Sequence, residues 1–135
     1  MKKILLAGGA GYIGTELCKR LQRLDYKVTV IDDLWFGNNL NPKVELIQKD
    51  LLQVTHNDLK DFDTVIFLGG VSNDPMAEFS PSENFIQNAA CPAYLSYESK
   101  RAGVRRFIYA SSCSVYGYTV DELYDEKSPT TCSYP

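Results

Sequence analysis

The strongest constraint on the fold is a glycine-rich turn placed directly after a short apolar run. Lys3-Ile4-Leu5-Leu6-Ala7 reads as a parallel strand buried on both faces, and Gly8-Gly9-Ala10-Gly11-Tyr12-Ile13-Gly14 follows without a break. Over residues 12–24 the apolar Ile13, Leu17, Leu21 and Leu24 recur at helical spacing, with Lys19, Arg20, Gln22 and Arg23 between them. That pattern predicts an amphipathic helix. Val28-Thr29-Val30-Ile31 predicts a second strand that ends at Asp32-Asp33. Strand, glycine turn, helix and strand in this order make one βαβ unit. Glycine permits backbone torsions closed to other residues, lets a pyrophosphate approach the main chain, and lets the helix sit close to the first strand. The helix start then offers unpaired N–H groups and a partial positive charge to phosphates.

The alternation continues along the chain. Residues 44–47 predict a third strand, residues 55–60 a short helix, and residues 64–68 a fourth strand closed by Gly69-Gly70. Ser80-Pro81-Ser82-Glu83 predicts a capped helix start. That helix is expected to run to about residue 102 and to end at Gly103, with Pro92 bending or interrupting it. Residues 106–110 predict a fifth strand. The expected fold is therefore α/β, a Rossmann-like, doubly wound parallel sheet of about five strands with right-handed crossovers. Residues 1–135 are expected to form one partial dinucleotide-binding domain. Past Tyr118 the chain turns polar and loop-like.

Composition narrows the partners. At 135 residues the chain suits one domain, long enough to bury roughly 68% of its unfolded surface. Net charge is −3 and no basic stripe occurs, which argues against nucleic acid as a main partner. The densest basic group, Lys100, Arg101, Arg105 and Arg106, reads as a solvated helix end and turn. Lys2-Lys3 before an apolar run imitates a signal peptide, but the run breaks at Gly8-Gly9. No stretch approaches the length of a membrane span. Cys18, Cys91, Cys113 and Cys132 form no C-x-x-C pair and no zinc spacing. Cys18 and Cys91 read as core or semi-buried residues, and the single histidine, His56, as a surface residue. A reducing, cytoplasmic compartment is the expectation.

The acid at the end of the second strand gives the turn a ligand type. Asp32 lies 18 positions after Gly14, where a carboxylate can accept hydrogen bonds from both hydroxyls of an adenosine ribose. Its charge would repel a 2′-phosphate, so NAD is favoured over NADP. Gly8, Gly11, Tyr12, Ile13 and Gly14, with Asp32 and Asp33, are the first candidate cofactor residues.

These residues resemble the extended short-chain dehydrogenase/reductase family, in particular its NAD-dependent nucleotide-sugar epimerases and dehydratases. The resemblance spans the chain. It implies that Asp50 and Leu51 meet the adenine ring, that Leu68-Gly69-Gly70 lies along the cofactor, and that Asn88 steadies the central sheet and cofactor region. Tyr109-Ala110-Ser111-Ser112-Cys113-Ser114-Val115-Tyr116-Gly117 matches a second family motif. There the hydroxyl four positions before the Tyr of Val-Tyr-Gly belongs to the catalytic set, which implies Ser112. Ser72, Ser112 and Ser114 are the implied substrate contacts. Several positions depart from the family pattern. Ala7 replaces a Thr that usually braces the turn, Phe67 stands where His is frequent, and Gly69-Gly70 stands where alanines are frequent. Cys91-Pro92 replaces Gly-Thr. Cys113 and Ser114 stand where 4,6-dehydratases carry an acidic pair, which disfavours that chemistry.

The family's base is a Tyr whose pKa is lowered by a Lys four residues on. No such pair occurs: Tyr94 is followed by Glu98 and Tyr97 by Arg101 at that spacing, and Tyr134 has no following Lys. The chain is thus expected to stop before the catalytic helix and to lack the substrate domain. The expectation is the NAD-binding portion of a nucleotide-sugar epimerase, inactive by itself, whose parent is a homodimer with no membrane or nucleic-acid partner. A non-catalytic NAD-binding sensor or scaffold, and a reductase of a non-sugar carbonyl, remain the alternatives.

Overall fold

The computed structural model describes residues 1–72, 74–117 and 123–130. In chain order its elements are β1 (Lys3–Ala7), α1 (Tyr12–Arg23), β2 (Lys27–Asp32), β3 (Glu45–Gln48), α2 (His56–Leu59), β4 (Thr64–Phe67), α3 (Asp74–Phe79), α4 (Pro81–Phe85), α5 (Cys91–Arg101) and β5 (Arg106–Tyr109). The strands form one parallel sheet in the order β3-β2-β1-β4-β5. The expected five-stranded α/β sheet is present. After β3 the chain crosses back to the far side of β1 to build β4. The carboxyl ends of β1 and β4 therefore flank a reversal of strand order, the place where open α/β sheets bind ligands.

Register assigns each strand residue to a face. Leu46, Val30, Leu6, Ile66 and Ile108 lie on one rung, and Ile47, Ile31, Ala7, Phe67 and Tyr109 on the next. Successive residues point to opposite faces, so two cores form. On one face Ile4, Leu6, Val28 and Val30 pack with Cys18 and with Leu17 and Leu21 of α1. On the other, Leu5, Ala7, Ile31, Val65 and Phe67 pack with Leu59 of α2 and with Cys91 and Leu95 of α5. Helices on both faces explain why β1 is apolar without alternation.

Helix ends carry their own signals. Gly103 has φ +77°, its N–H donates to Lys100 O, and the Val104 N–H donates to Ser99 O. This is the paired closure that an αL residue after a helix allows. Asp25 closes α1 in the same way at φ +57°, through Asp25 N to Gln22 O and Tyr26 N to Leu21 O, both 3.1 Å.

The structure breaks the expected helix near Pro92, as the sequence implied, and departs from the sequence reading at other points. The helix expected over 80–102 is in three pieces: α4, a π-helical turn at Ile86–Ala90, and α5. Proline has no N–H and crowds the carbonyl four residues before it. The chain widens into the π turn just ahead of Pro92, where the Cys91 N–H reaches back to Ile86 O. The Ser80 side chain makes no capping bond. Helix α3 and the 3-10 turns at Leu51–Gln53 and Cys113–Tyr116 were not predicted. They are too short to show a period.

His56, expected as a plain surface residue, is half-buried and holds a partner. Glu98 of α5 is buried, and its Oε2 accepts the His56 N–H at 2.6 Å and lies 3.2 Å from His56 Nδ1. The Arg101 guanidinium donates to Glu98 Oε1 at 2.9 Å, so one of the cations expected to be merely solvated staples a buried acid. Burial pushes the Glu98 carboxyl upward, but the hydrogen bonds from His56 and Arg101 outweigh it and hold the group below the usual glutamate range. The carboxylate joins α2 to α5. No described helix is long and apolar enough to cross a membrane.

Candidate functional site

A cleft of about 1170 Å³ opens at the carboxyl ends of β1, β2 and β4. Its floor is the glycine turn, and the glycines there differ in what demands them. Gly8 has φ +73°, and a Cβ on it would collide with the Gly69 main chain. A Cβ on Gly14 would collide with the backbone of Gly9, so α1 starts hard against the turn. A Cβ on Gly9 would come within 2.7 Å of Leu6 Cβ. These three are required by the protein's own packing. A Cβ on Gly11 would meet nothing closer than Gly8 O at 3.7 Å. Its side faces the cleft, and no protein atom fills that space.

Gly11 also begins α1. The first bond of that helix runs from Thr15 N to Gly11 O at 3.0 Å, so the N–H groups of residues 12–14 precede the intrahelical ladder. Tyr12 and Ile13 keep their side chains in solvent, 97% and 67% exposed. Thr15 is a residue the sequence analysis missed. Its hydroxyl donates to Gly11 O at 2.8 Å, with Ala10 O at 3.2 Å. It braces the turn from the helix side, where Ala7 supplies no hydroxyl.

At the end of β2, Asp32 Oδ2 accepts the Ala10 N–H at 2.9 Å and Oδ1 accepts the Leu34 N–H at 2.8 Å. Each oxygen has a second lone pair for a ligand hydroxyl. Asp33 lines the same end of the cleft. Burial, helped by the charges of Asp32 and Asp50, raises its carboxyl above the usual aspartate range. Asp50 Oδ1 accepts the Leu52 N–H at 2.9 Å and caps the 3-10 turn. Asp50 and Leu51 line the cleft, and so do Leu68, Gly69, Gly70 and Ser72 on the β4 side. The glycine pair after β4 is closely packed: a Cβ on Gly69 would stand 3.1 Å from Leu51 Cδ1, and one on Gly70, at φ +131°, would collide with the Asn88 side chain.

Asn88, Ser112 and Ser114 are not among the residues that line the cleft. Asn88 stands behind it. Its Oδ1 accepts the Val71 N–H at 2.9 Å and its Nδ2 donates to Val71 O at 2.8 Å, so one side chain grips both polar groups of the residue between Gly70 and Ser72. Its main chain makes a second connection. Proline at 92 has no N–H to offer the carbonyl of residue 88, and the Tyr109 hydroxyl donates to that oxygen at 3.1 Å. The Tyr109 ring lies 5.8 Å from the Phe67 ring. Asn88 thus ties the β4 loop to the end of β5. Beyond that end, Ser112 is exposed, with its Oγ accepting the Ser114 N–H at 3.2 Å and 3.0 Å from the Ser114 Oγ. Tyr134 lies outside the described residues.

Two further residues missed from the sequence, Trp35 and Phe36, line the Asp32 end of the cleft. The available signal was two consecutive aromatics directly after the strand-end acids. Beneath the cleft Cys91 is fully buried, and burial with the charges of Asp50 and Asp33 pushes its thiol up to about 11. It is inert as a nucleophile at neutral pH. Among the described residues no group of three or more His, Cys, Asp or Glu is placed to hold a metal ion. The donor set, phosphate-ready N–H groups with an open glycine and an acid placed for a ribose, fits a dinucleotide.

Comparison with known proteins agrees. Residues 4–135 match the NAD dependent epimerase/dehydratase family. A UDP-glucose 4-epimerase of Neisseria meningitidis serogroup B is 28% identical over 150 residues, covering 99% of this chain and 44% of that protein. Among solved structures, a UDP-N-acetylglucosamine 4-epimerase from Methanobrevibacter ruminantium in complex with UDP-N-acetylmuramic acid superposes with a TM-score of 0.86 at 29% identity, covering 96% of this chain and 44% of that one. MoeE5, solved with UDP-glucose and NAD, superposes with a TM-score of 0.81 at 27% identity, covering 96% of this chain and 42% of that one. The chain spans less than half the length of these relatives.

Proposed function

Because this chain belongs to the NAD-dependent epimerase/dehydratase family, we propose that it is the cofactor-holding portion of a nucleotide-sugar epimerase. One observation carries the reading: of the glycines at 8, 9, 11 and 14, only Gly11 faces space that no protein atom fills. That space adjoins the unpaired N–H groups of the α1 start and the Asp32 carboxylate, as a pyrophosphate followed by a ribose requires.

When bound, NAD supplies a hydride acceptor and donor for a sugar carbon. The chain's own residues do the holding. The N–H groups of residues 12–14 receive the pyrophosphate, and Asp32 accepts the ribose hydroxyls. Asp50 and Leu51 bound the adenine. Leu68, Gly69 and Gly70 form the wall along the rest of the cofactor, in the position that Asn88 holds for them. Ser112 donates its hydroxyl to a substrate oxygen as that oxygen becomes a carbonyl, with Ser72 and Ser114 as further substrate contacts. The relatives named UDP-sugar epimerases support a nucleotide-sugar substrate. The reading places the protein in the cytoplasm, as a homodimer in its active form.

A non-catalytic reading, NAD binding as a sensor or scaffold, has one observation in its favour. Ser112 bonds Ser114 and stands outside the cleft. Calorimetry tests the cofactor site, and a turnover assay tests the inactivity of this chain by itself. The 135-residue chain should bind NAD, bind NADP far more weakly, and lose NAD binding in Asp32→Ala. It should not interconvert a UDP-hexose and its 4-epimer. Turnover would refute its inactivity, and NAD binding that survives Asp32→Ala would refute the site.

A further inference from the structure

The aromatic pair beyond Asp32 is built into the cleft and is not accounted for by the core. Residues 34–37 form a tight turn: the Gly37 N–H donates to Leu34 O at 2.9 Å, and Gly37 has φ +82°. Trp35 and Phe36 occupy its tip and are 52% and 76% exposed. The root of the turn is held by the acids of the site itself, through Leu34 N to Asp32 Oδ1 at 2.8 Å and Trp35 N to Asp33 Oδ1 at 3.4 Å. The Leu34 side chain packs inward against the core beside α1. The turn is therefore anchored at its base while its two rings line the cleft. Exposed large aromatics so placed mark binding surfaces.

Apart from Tyr12 at the start of α1, the described residues that line the cleft include no other aromatic ring. Asp32, Asp33 and Asp50 are acceptors suited to hydroxyl and amino donors. A purine also presents two flat π faces, and an indole of two side-chain torsions covers one at small entropic cost. A base attached to a ribose held by Asp32 lies next to the turn that Asp32 anchors. We propose that Trp35 is the stacking surface for the adenine base of the dinucleotide, with Phe36 flanking it. This rests on the reading that the chain binds NAD at the glycine turn.

The chain has one tryptophan, so its intrinsic fluorescence reports on this residue alone. NAD, ADP-ribose and AMP should quench it, and nicotinamide mononucleotide should not. By calorimetry Trp35→Ala should weaken NAD and ADP-ribose by the same factor, about tenfold, and Trp35→Phe should restore most of the loss. Circular dichroism on each variant should show the wild-type melting curve, because the ring is not part of either core. NAD binding by calorimetry with unchanged fluorescence, and unchanged affinity in Trp35→Ala, would overturn the stacking role and leave the NAD reading standing. Absence of any NAD binding to the wild-type chain would overturn both.

Discussion

The two halves of the sheet differ in how completely they are packed. Around β1 and β2, Leu5, Leu6, Val30 and Ile31 are wholly buried and covered on both faces. Around β4 and β5 the described residues cover the sheet less completely: Val65 and Phe67 of β4 are buried, but β5 is exposed on both faces. On the rung that runs through Leu6 and Ile66, Ile108 is 41% exposed, and Tyr109 on the next rung is 46% exposed. The glycine turn and Asp32 grow from the closed half, and Ser111 to Ser114 from the open one. The shape of this part of the cleft is therefore set by contacts that the described residues complete among themselves. The hydroxyl-bearing segment follows β5, which pairs with β4 and is tied at its end by the Tyr109–Asn88 bond.

Substitutions in the closed half should have the largest effects. Gly14→Ala forces a Cβ into the Gly9 backbone and is expected to cost about 3 kcal/mol, read as a fall in melting temperature. Gly11→Ala is the sharper control. It should cost under about 1 kcal/mol of stability while weakening NAD about tenfold or more by calorimetry. Equal effects of the two on stability would abolish the distinction between packing glycines and the ligand glycine.

Acid should act next, through the Glu98 staple beneath the same half. Its carboxyl titrates lower in the folded chain than in the unfolded one, so its contribution is complete above the ordinary glutamate range and is lost as pH falls through the depressed value. Glu98→Gln should lower the melting temperature at neutral pH by several degrees and flatten its fall between about pH 5 and 3. A variant with the wild-type acid profile would remove Glu98 from the account.

In the open half Tyr109→Phe removes only the donor to the Asn88 carbonyl. It should cost roughly 1 kcal/mol and raise hydrogen exchange in residues 86–93 and 110–117, with the glycine turn unaffected. Exchange that rises equally in both halves would show that the sheet responds as one unit.

The smallest effect belongs to Asp33. Its carboxyl titrates higher in the folded chain, so the folded state loses stability as pH rises through that value. Asp33→Asn should raise the melting temperature slightly at neutral pH, and the gain should shrink below about pH 4. Solvent around this exposed side chain keeps the change small.

Much of the fold was legible because its signals are local. The apolar run of β1, the period of α1, the strand ends and Gly103 each act within a few residues, and each forms close to where it was read. Of the candidate site residues, the glycine-turn and strand-end positions, with Ser72, line one cleft. Asn88, Ser112 and Ser114 do not: Asn88 is held by Val71, 17 residues away, and Ser112 and Ser114 bond each other beyond the end of β5. Trp35 and Phe36 could be read as aromatics in the sequence but not as cleft walls, since a surface turn and a binding turn have the same composition.

The sequence by itself determined the strand–turn–helix unit, the acid that follows it, and the kind of ligand that such a unit accepts, because backbone torsion and hydrophobic period are properties of neighbouring residues. Only the tertiary structure decided which glycine faces the open cleft, that a proline at 92 leaves the Asn88 carbonyl to a tyrosine 21 residues away, and that a half-buried histidine holds a buried acid 42 residues distant. Those are contacts between elements, and they exist only once the sheet has brought the elements together.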